Sequence, residues 1–455
     1  MSTPPATSPD GRPPDSPPSD TPAGAVARLR ATFRTGRTRP LTWRTEQLTG
    51  LRALLTGHRE EIAAALHADL RKPRAEADLA EVDFTVREID HTLRNLEHWL
   101  HPEQVPAAAL TRLPPGTSAH TRHDPLGTVL VIAPWNYPVQ LLLVPVAGAI
   151  AAGNTVLAKP SELAPACSAL LARLLPQYVD PAAIAVLEGG GETATALLAE
   201  RFDHILYTGN AGFGRAVLRA AAEHLTPVTL ELGGKSPVFV DRGVDLGVVA
   251  ARLARAKFAN AGQTCVAPDY LLADPATARA LEGALERAVT ELYGPDPARS
   301  RAYGRLVDER HFDRVVALLD SGRTVFGGRH DRADRYIAPT LLAEVRPDAP
   351  VMREEIFGPV LPVVEVTGLD EAIAFINERD RPLALYAFTE DGHARRRLAE
   401  ETSSGGLNFG LPVAHLGIPE LPFGGVGESG SGRYHGRWSI DTFSHRRACL
   451  DVPLD

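Results

Sequence analysis

The chain is poor in cysteine and in lysine, and it has no apolar run long enough to cross a bilayer. Its 455 residues hold three cysteines, Cys167, Cys265 and Cys449, too few and too scattered for a disulfide framework or a metal site. That usage suits a reducing compartment, so the cytoplasm is the expected location and no metal is expected. Of the 48 basic residues four are lysines, Lys72, Lys159, Lys235 and Lys257, which leaves 44 arginines. Against such a background each retained ammonium stands out, since it is not interchangeable with a guanidinium. The net charge of −8 gives no electrostatic reason to expect nucleic acid or an anionic membrane as partner. The apolar stretch from Pro138 to Gly153 contains Gln140 and Pro145 and falls short of the ~18 to 20 residues of a membrane span. It reads as a buried helix. Neither an apolar C-terminal tail nor a lipidation motif is evident, so a soluble protein acting on a small molecule is expected.

What is present divides the chain. Residues 1 to about 22 are Pro, Ser, Thr, Asp and Gly, cannot repay ordering entropy by burial, and read as a disordered tail without the marks of a secretory signal or transit peptide. From Ala25 to about Leu100 the apolar spacing is helical: Leu51, Leu54, Leu55, Ile62, Leu66, then Leu79, Val82, Phe84, Val86, Ile89, Leu93. Thr117 to His123 alternates and suggests a projecting strand. Beyond it, short apolar strands alternate with helices: Gly127 to Ala133, Thr155 to Lys159, Ala185 to Gly191, His204 to Thr208. Such alternation implies a parallel sheet, in a chain long enough for two large domains. A Gly-rich turn, Gly209-Asn-Ala-Gly-Phe-Gly214, precedes a helix expected from Arg215 to about Leu225. It is a candidate phosphate site, although its spacing is not Gly-x-Gly-x-x-Gly. Two further helices are expected, from Thr277 to Leu292 and near His311 to Leu319. The pair Glu354-Glu355 reads as a solvated helix end.

Two Gly-bearing turns carry the chemistry. Thr229-Leu-Glu-Leu-Gly-Gly-Lys-Ser-Pro237 holds Glu231, and Asn260-Ala-Gly-Gln-Thr-Cys-Val-Ala-Pro-Asp269 holds Cys265. A thiolate nucleophile with a separate carboxylate suits a covalent acyl intermediate that water later releases. Taken alone, Cys265 is more readily a small buried hydrophobe and Glu231 a surface charge.

The motifs in their order decide between these. Pro134-Trp-Asn-Tyr-Pro138, Lys159-Pro-Ser-Glu162, Tyr207-Thr-Gly209, the two turns above, Glu354-Glu-Ile-Phe-Gly-Pro359, Tyr434-His-Gly436 and Thr442-Phe-Ser-His-Arg-Arg447 together resemble the NAD(P)-dependent aldehyde dehydrogenase superfamily. Cys-Val-Ala-Pro-Asp-Tyr and Thr-Phe-Ser-His-Arg-Arg point to its class 3 branch of fatty and aromatic aldehyde dehydrogenases. The resemblance runs from about Ala25 to Leu450. It implies an α/β fold with an altered Rossmann-type cofactor domain (23–105 and 123–230), an α/β catalytic domain (231–432) and a small oligomerisation arm (106–122 and 433–450). By the same resemblance Cys265 is the nucleophile, Glu231 the general base and Asn136 a donor to the oxyanion. Lys159 and Glu162 fall on the adenine ribose, Gly209, Asn210, Gly212 and Gly214 near the pyrophosphate, Glu355 and Phe357 at the nicotinamide ribose, and Trp135 beside the same cleft. Lys235 reads as structural. NAD is the implied cofactor, with NADP accepted, and a homodimer the implied assembly.

Two departures stand out. Asn210 replaces the usual Ser after Thr-Gly, which keeps a small polar group. Relatives often carry Asn five residues ahead of the position of His415, where this chain has Gly410, with Asn408 two residues earlier. That change bears on the substrate funnel and leaves the aldehyde open. Two alternatives remain: a CoA-acylating aldehyde dehydrogenase, against which Glu231 argues, and a non-catalytic cofactor-binding relative, which would have lost Cys265 or Glu231.

Overall fold

The structure, a computed structural model, describes residues 21–454. Most of the expected tail lies outside them, but its last two residues do not belong to a tail. Thr21 caps a helix, its side chain accepting from the Gly24 amide, and Pro22 opens that helix, Pro22–Arg34, where its fixed φ and missing N–H cost nothing.

Five strands whose residues are mostly buried on both faces form a parallel sheet, in the order Val228–Glu231, His204–Thr208, Thr128–Ile132, Thr155–Lys159 and Ile184–Val186. Continuous apolar strands are what a sheet covered by helices on both faces requires. The helix Gln140–Ala151 is buried along its whole length, as its lack of any polar face demands. A sixth strand, Gly430–Ser431, returns from the far end of the chain and pairs antiparallel with Val228–Glu231. A second sheet of seven strands holds Pro237–Val240, Tyr270–Ala273, Val360–Glu365, Thr340–Ala343, Ala384–Phe388 and Gly406–Phe409 in parallel, with Arg323–Phe326 antiparallel at one edge. A third, wholly antiparallel sheet joins Glu103–Gln104, Ser118–Pro125 and Ser444–Asp451. The pairing therefore places Glu231 in the first sheet rather than after it. Residues 436–443, expected in the arm, form a helix, Gly436–Phe443, that packs on Gln140–Ala151 and Phe84–Leu100.

The helical layer has one irregularity. Between Arg74–Glu76 and Phe84–Leu100 the chain runs through a π-turn, Ala77–Asp83. Its wider pitch breaks the 3.6-residue phase. Leu79, expected on the buried face, is 63% exposed as a result.

Candidate active site

In the first sheet Ile132 lies opposite both Lys159 and Tyr207, and Thr208 opposite Glu231. The carboxyl ends of four strands thus open along one edge, the place where ligands bind in open α/β sheets. Glu231 ends its strand, 1% exposed, with neither carboxylate oxygen bonded to any protein group. Burial holds its carboxyl well above the usual range. A buried orphan of this kind costs stability and needs a purpose.

Cys265 arrives from the second sheet's side. Three consecutive residues before it are left-handed: Asn260 (φ 50°), Ala261 (φ 53°) and Gly262 (φ 76°). Two of them carry a Cβ, so the turn is strained by about 1 to 2 kcal/mol each and must be held. The Asn260 side chain donates to the carbonyls of Asn136 (2.9 Å) and Gln263 (3.1 Å). Gln263 donates to the carbonyls of Asn260 and Arg305 (2.9 Å each) and accepts from the Val307 amide (2.9 Å). At Gly262 a Cβ would sit 2.2 Å from the Gly358 carbonyl oxygen, which excludes any other residue. Asn136, 2% exposed, donates through its side chain to the Gln263 carbonyl (3.1 Å). Its amide has a second N–H to offer.

The Cys265 thiol is pushed up by burial, then by the charges of Glu355 and Glu231, while the Cys265 and Val266 amides pull it down. Glu355 is not a solvated helix end. Its carboxylate lies so close to Gly233 that a Cβ there would fall 1.9 Å from it. Burial and Asp269 push its pKa up to about 8, against the Gly234 amide, Lys235 and Arg314. Lys235 donates to Asp269, to Val351 O (2.8 Å) and to Glu354 O (3.0 Å), which ties down the 351–356 loop. Phe357 takes φ 46° and sets its ring 5.3 Å from Trp135, which meets His311 at 5.0 Å.

This arrangement makes a prediction about the thiol. Glu355→Gln should speed alkylation of Cys265 by iodoacetamide above pH 8, where Glu355 ionises, by roughly tenfold for each pKa unit of repulsion removed. Below that pH, where Glu355 holds its proton, the gain should fade. Quantifying the labelled Cys265 peptide by mass spectrometry checks it; equal rates at every pH would show that the two groups do not interact.

The cofactor side differs in one respect from the sequence expectation. The segment from Gly209 is not a turn throughout: the helix Ala211–Ala222 begins inside it, so Gly212 and Gly214 are helical and Asn210 is the cap, its side chain accepting from the Phe213 amide at 2.9 Å. Gly209 has no room for a side chain, because a Cβ would lie 2.2 Å from the Tyr207 hydroxyl. Lys159, 3% exposed, donates to Pro160 O (2.9 Å) and to Glu162 (3.2 Å). The buried Thr208 hydroxyl has no protein partner. A helix N-terminus, an ammonium with its carboxylate and an orphaned hydroxyl along one sheet edge fit a dinucleotide's phosphates and ribose. Among the described residues no group of three or more His, Cys, Asp or Glu side chains is placed to hold a metal. No described helix is long and apolar enough to cross a membrane.

One residue was not read from sequence as a site group. Tyr434 is fully buried with an unpartnered hydroxyl, raised by burial and then by the charges of Glu231 and Cys265; its signal was its place just after the Gly-rich strand that pairs with Val228–Glu231. The Asn408 side chain meets His415 Nδ1 at 2.8 Å, so the displaced asparagine still reaches that histidine.

A family model, the aldehyde dehydrogenase family, matches residues 15–449. The chain is 48% identical to "aldehyde dehydrogenase, dimeric NADP-preferring" of Mus musculus, with 93% of each chain covered. It is 49% identical to aldehyde dehydrogenase family 3 member B1 of Homo sapiens, with 93% of this chain and 90% of that one covered. Among solved structures, the substrate-bound state of Staphylococcus aureus AldH superposes with a TM-score of 0.91 at 42% identity over 95% of this chain and 94% of that one. An indole-3-acetaldehyde dehydrogenase complexed with NAD+ gives 0.87 at 26% identity, over 95% and 89%. With a family model spanning nearly its whole length and relatives almost half identical to it, the chain belongs to the aldehyde dehydrogenase family, among family 3 members.

Proposed function

We propose that the protein oxidises an aldehyde to its carboxylic acid with NAD(P)+, through a covalent intermediate on Cys265. The observation that carries this reading is the orphaned, buried carboxylate of Glu231, whose charge bears on the Cys265 thiol. Cys265, as thiolate, adds to the aldehyde carbon, and the carbonyl oxygen becomes an alkoxide. The free N–H of Asn136 and the Cys265 amide donate to it, each worth roughly 3 kcal/mol. A bound nicotinamide supplies the hydride acceptor. Loss of hydride restores the C=O bond and leaves a thioester on Cys265. Glu231 then takes a proton from water as its oxygen attacks the acyl carbon; the C–S bond breaks and the acid leaves. Glu231 also favours water over CoA as the acyl acceptor, since CoA would make such a base unnecessary.

The substrate class we assign is medium- to long-chain aliphatic or aromatic aldehydes. Leu411, Ile418 and Leu421 are exposed by 49%, 46% and 43% on the segment just ahead of Phe423, whose ring stacks on His435, and apolar groups there suit an apolar substrate. Trp135, Lys159, Glu162, Gly209, Asn210, Gly212, Gly214, Glu355 and Phe357 are assigned to the cofactor. A homodimer fits the printed name of the mouse relative, and a cytoplasmic location fits three unpaired thiols. Screening both aldehyde types with both cofactors tests the assignment. Cofactor-independent product would instead indicate an esterase-like hydrolase.

Cofactor choice follows from Glu162. A carboxylate repels a 2′-phosphate, but the Lys159 ammonium at 3.2 Å offsets much of that charge, so NAD is used and NADP tolerated. Glu162→Gln should leave Lys159 uncompensated and shift the ratio of kcat/KM values toward NADP by roughly tenfold. An unchanged ratio would remove Glu162 from the selection of cofactor.

A further inference from the structure

Between the helices Arg59–Leu70 and Phe84–Leu100 the chain places three charged side chains against the backbone of both active-site loops. Arg71 takes φ 52° and Pro73 follows Lys72, so the helix stops and Lys72 is turned inward, with none of its surface exposed. Its ammonium donates to Glu81 (2.5 Å) and to the Asn136 carbonyl (2.8 Å), and lies 4.0 Å from the centre of the Tyr137 ring. Glu81, equally buried, accepts through its other oxygen from the amides of Val139 (3.1 Å) and Gln140 (2.9 Å), where the helix Gln140–Ala151 begins. Glu76 accepts from the Asn260 amide at 2.9 Å, at the first left-handed residue before Cys265. Tyr137 closes the ring, its hydroxyl 2.8 Å from Thr264 Oγ1. Glu76 and Glu81 are five residues apart, the spacing that a π-turn, and not an α-turn, brings to one face. The wide turn at Ala77–Asp83 thus has a consequence beyond exposing Leu79.

A buried ion pair is a poor source of stability. Two charges lose several kcal/mol of hydration each, and well-packed apolar residues often do as well or better. The Lys72–Glu81 pair spends its remaining hydrogen-bonding capacity on residues 136–140 alone, and Glu76 reaches residue 260. Asn260 itself donates to Asn136, so all three charges converge on the spacing between the Asn136 amide and the Cys265 turn.

We propose that Lys72, Glu76 and Glu81 are positioning residues that fix the oxyanion donor Asn136 relative to Cys265, without touching substrate or cofactor. The inference rests on the role given above to Asn136 in stabilising the oxyanion. Small displacements of such a donor are costly, on the order of 10²-fold in rate per ångström. The positioning groups therefore act on hydride transfer, with no part in cofactor binding.

The test is a double-mutant cycle read by the rate of the pre-steady-state burst of reduced cofactor. Lys72→Met with Glu81→Leu replaces the ion pair by apolar residues and avoids leaving a lone buried charge. The expected result is a folded protein with parent-like NAD affinity and a burst rate ~10-fold slower. Asn136→Ala alone should slow the burst by ~10²- to 10³-fold. When all three are changed together the rate should stay near that of Asn136→Ala, because the clamp acts through the lost group. Full additivity, or no slowing in the Lys72/Glu81 variant, would overturn the proposal. A normal burst in Asn136→Ala would instead overturn the role of Asn136 itself, a distinguishable outcome. Should the apolar pair fail to fold, Glu76 supplies the same test: Glu76→Gln keeps an acceptor for the Asn260 amide and should restore the burst rate that Glu76→Ala loses, again only when Asn136 is present. Equal rates in the Gln and Ala variants would overturn the proposal.

Discussion

Cys265→Ala should abolish aldehyde oxidation, with turnover below about one per cent of the parent, while NAD(P) affinity stays near its parent value. The loss is complete because the substitution removes the atom that carries the acyl group, and no neighbouring side chain can take its place. Cys167, on the helix Pro165–Tyr178 beside the first sheet, is fully buried and pushed far up by burial and the nearby Asp69 carboxylate. Cys449 lies on the strand Ser444–Asp451 of the three-stranded sheet. Cofactor affinity should survive because the residues assigned to it sit at the ends of the first sheet and on the 354–357 loop, tied by Lys235 and by Arg314, which donates to the carbonyls of Glu355 (3.1 Å) and Ile356 (2.6 Å). Quenching of Trp135 fluorescence on cofactor addition is a direct readout. Residual turnover of more than a few per cent would remove Cys265 from the mechanism.

Glu231→Gln should separate the two halves of the reaction. Hydride transfer precedes the step in which the carboxylate works, so the variant should release one equivalent of reduced cofactor per site in a burst. Steady-state turnover should fall by ~10²- to 10⁴-fold, the usual contribution of a general base. The parent should show the matching pH dependence. Burial holds the Glu231 carboxyl well above the carboxylate range, and a base works only when ionised, so kcat should rise with pH through that raised pKa and flatten in the Gln variant. If mixing experiments showed hydride transfer slowed as much as turnover, Glu231 would be activating the thiol or placing the aldehyde. Glu355, half-buried against Gly233 with its pKa pushed up to about 8, would then be the leading candidate for the base.

Much of this site was legible in the sequence because its signals are local. The contiguous motif from Thr229 to Pro237 marks Glu231 through its order among the other motifs, although it reads as a Gly-bearing turn and the structure makes Glu231 the end of a strand. The apolar run from Pro138 to Gly153 could only be a buried helix, and Gln140–Ala151 is one. Misreadings arose where a residue's environment is made by distant parts of the chain. Glu354 and Glu355 look alike in sequence, yet only the second lies under the Gly233–Gly234 turn, and nothing in its own segment announces that cover. Gly212 and Gly214 suggested an open turn, but the Asn210 side chain caps the helix a full turn earlier than expected, and glycine's low helix propensity yields to a good cap. The π-turn was invisible for a related reason: its benefit is paid in contacts to residues 136–140 and 260, so the local apolar pattern, which placed Leu79 inside, could not report it. Tyr434 is the extreme case, since its neighbourhood exists only once Gly430–Ser431 has crossed back to pair with Val228–Glu231.

The most direct test of the central claim is to quench Glu231→Gln, mixed with an aldehyde and NAD+, into acid at the end of the burst and to weigh the peptide that carries Cys265. The account requires that peptide to be heavier by the acyl group of the aldehyde used, at close to one equivalent per site, with no such adduct in Cys265→Ala. A full burst with an unmodified Cys265 peptide would contradict it, because hydride would then have left a carbon never bonded to the thiol.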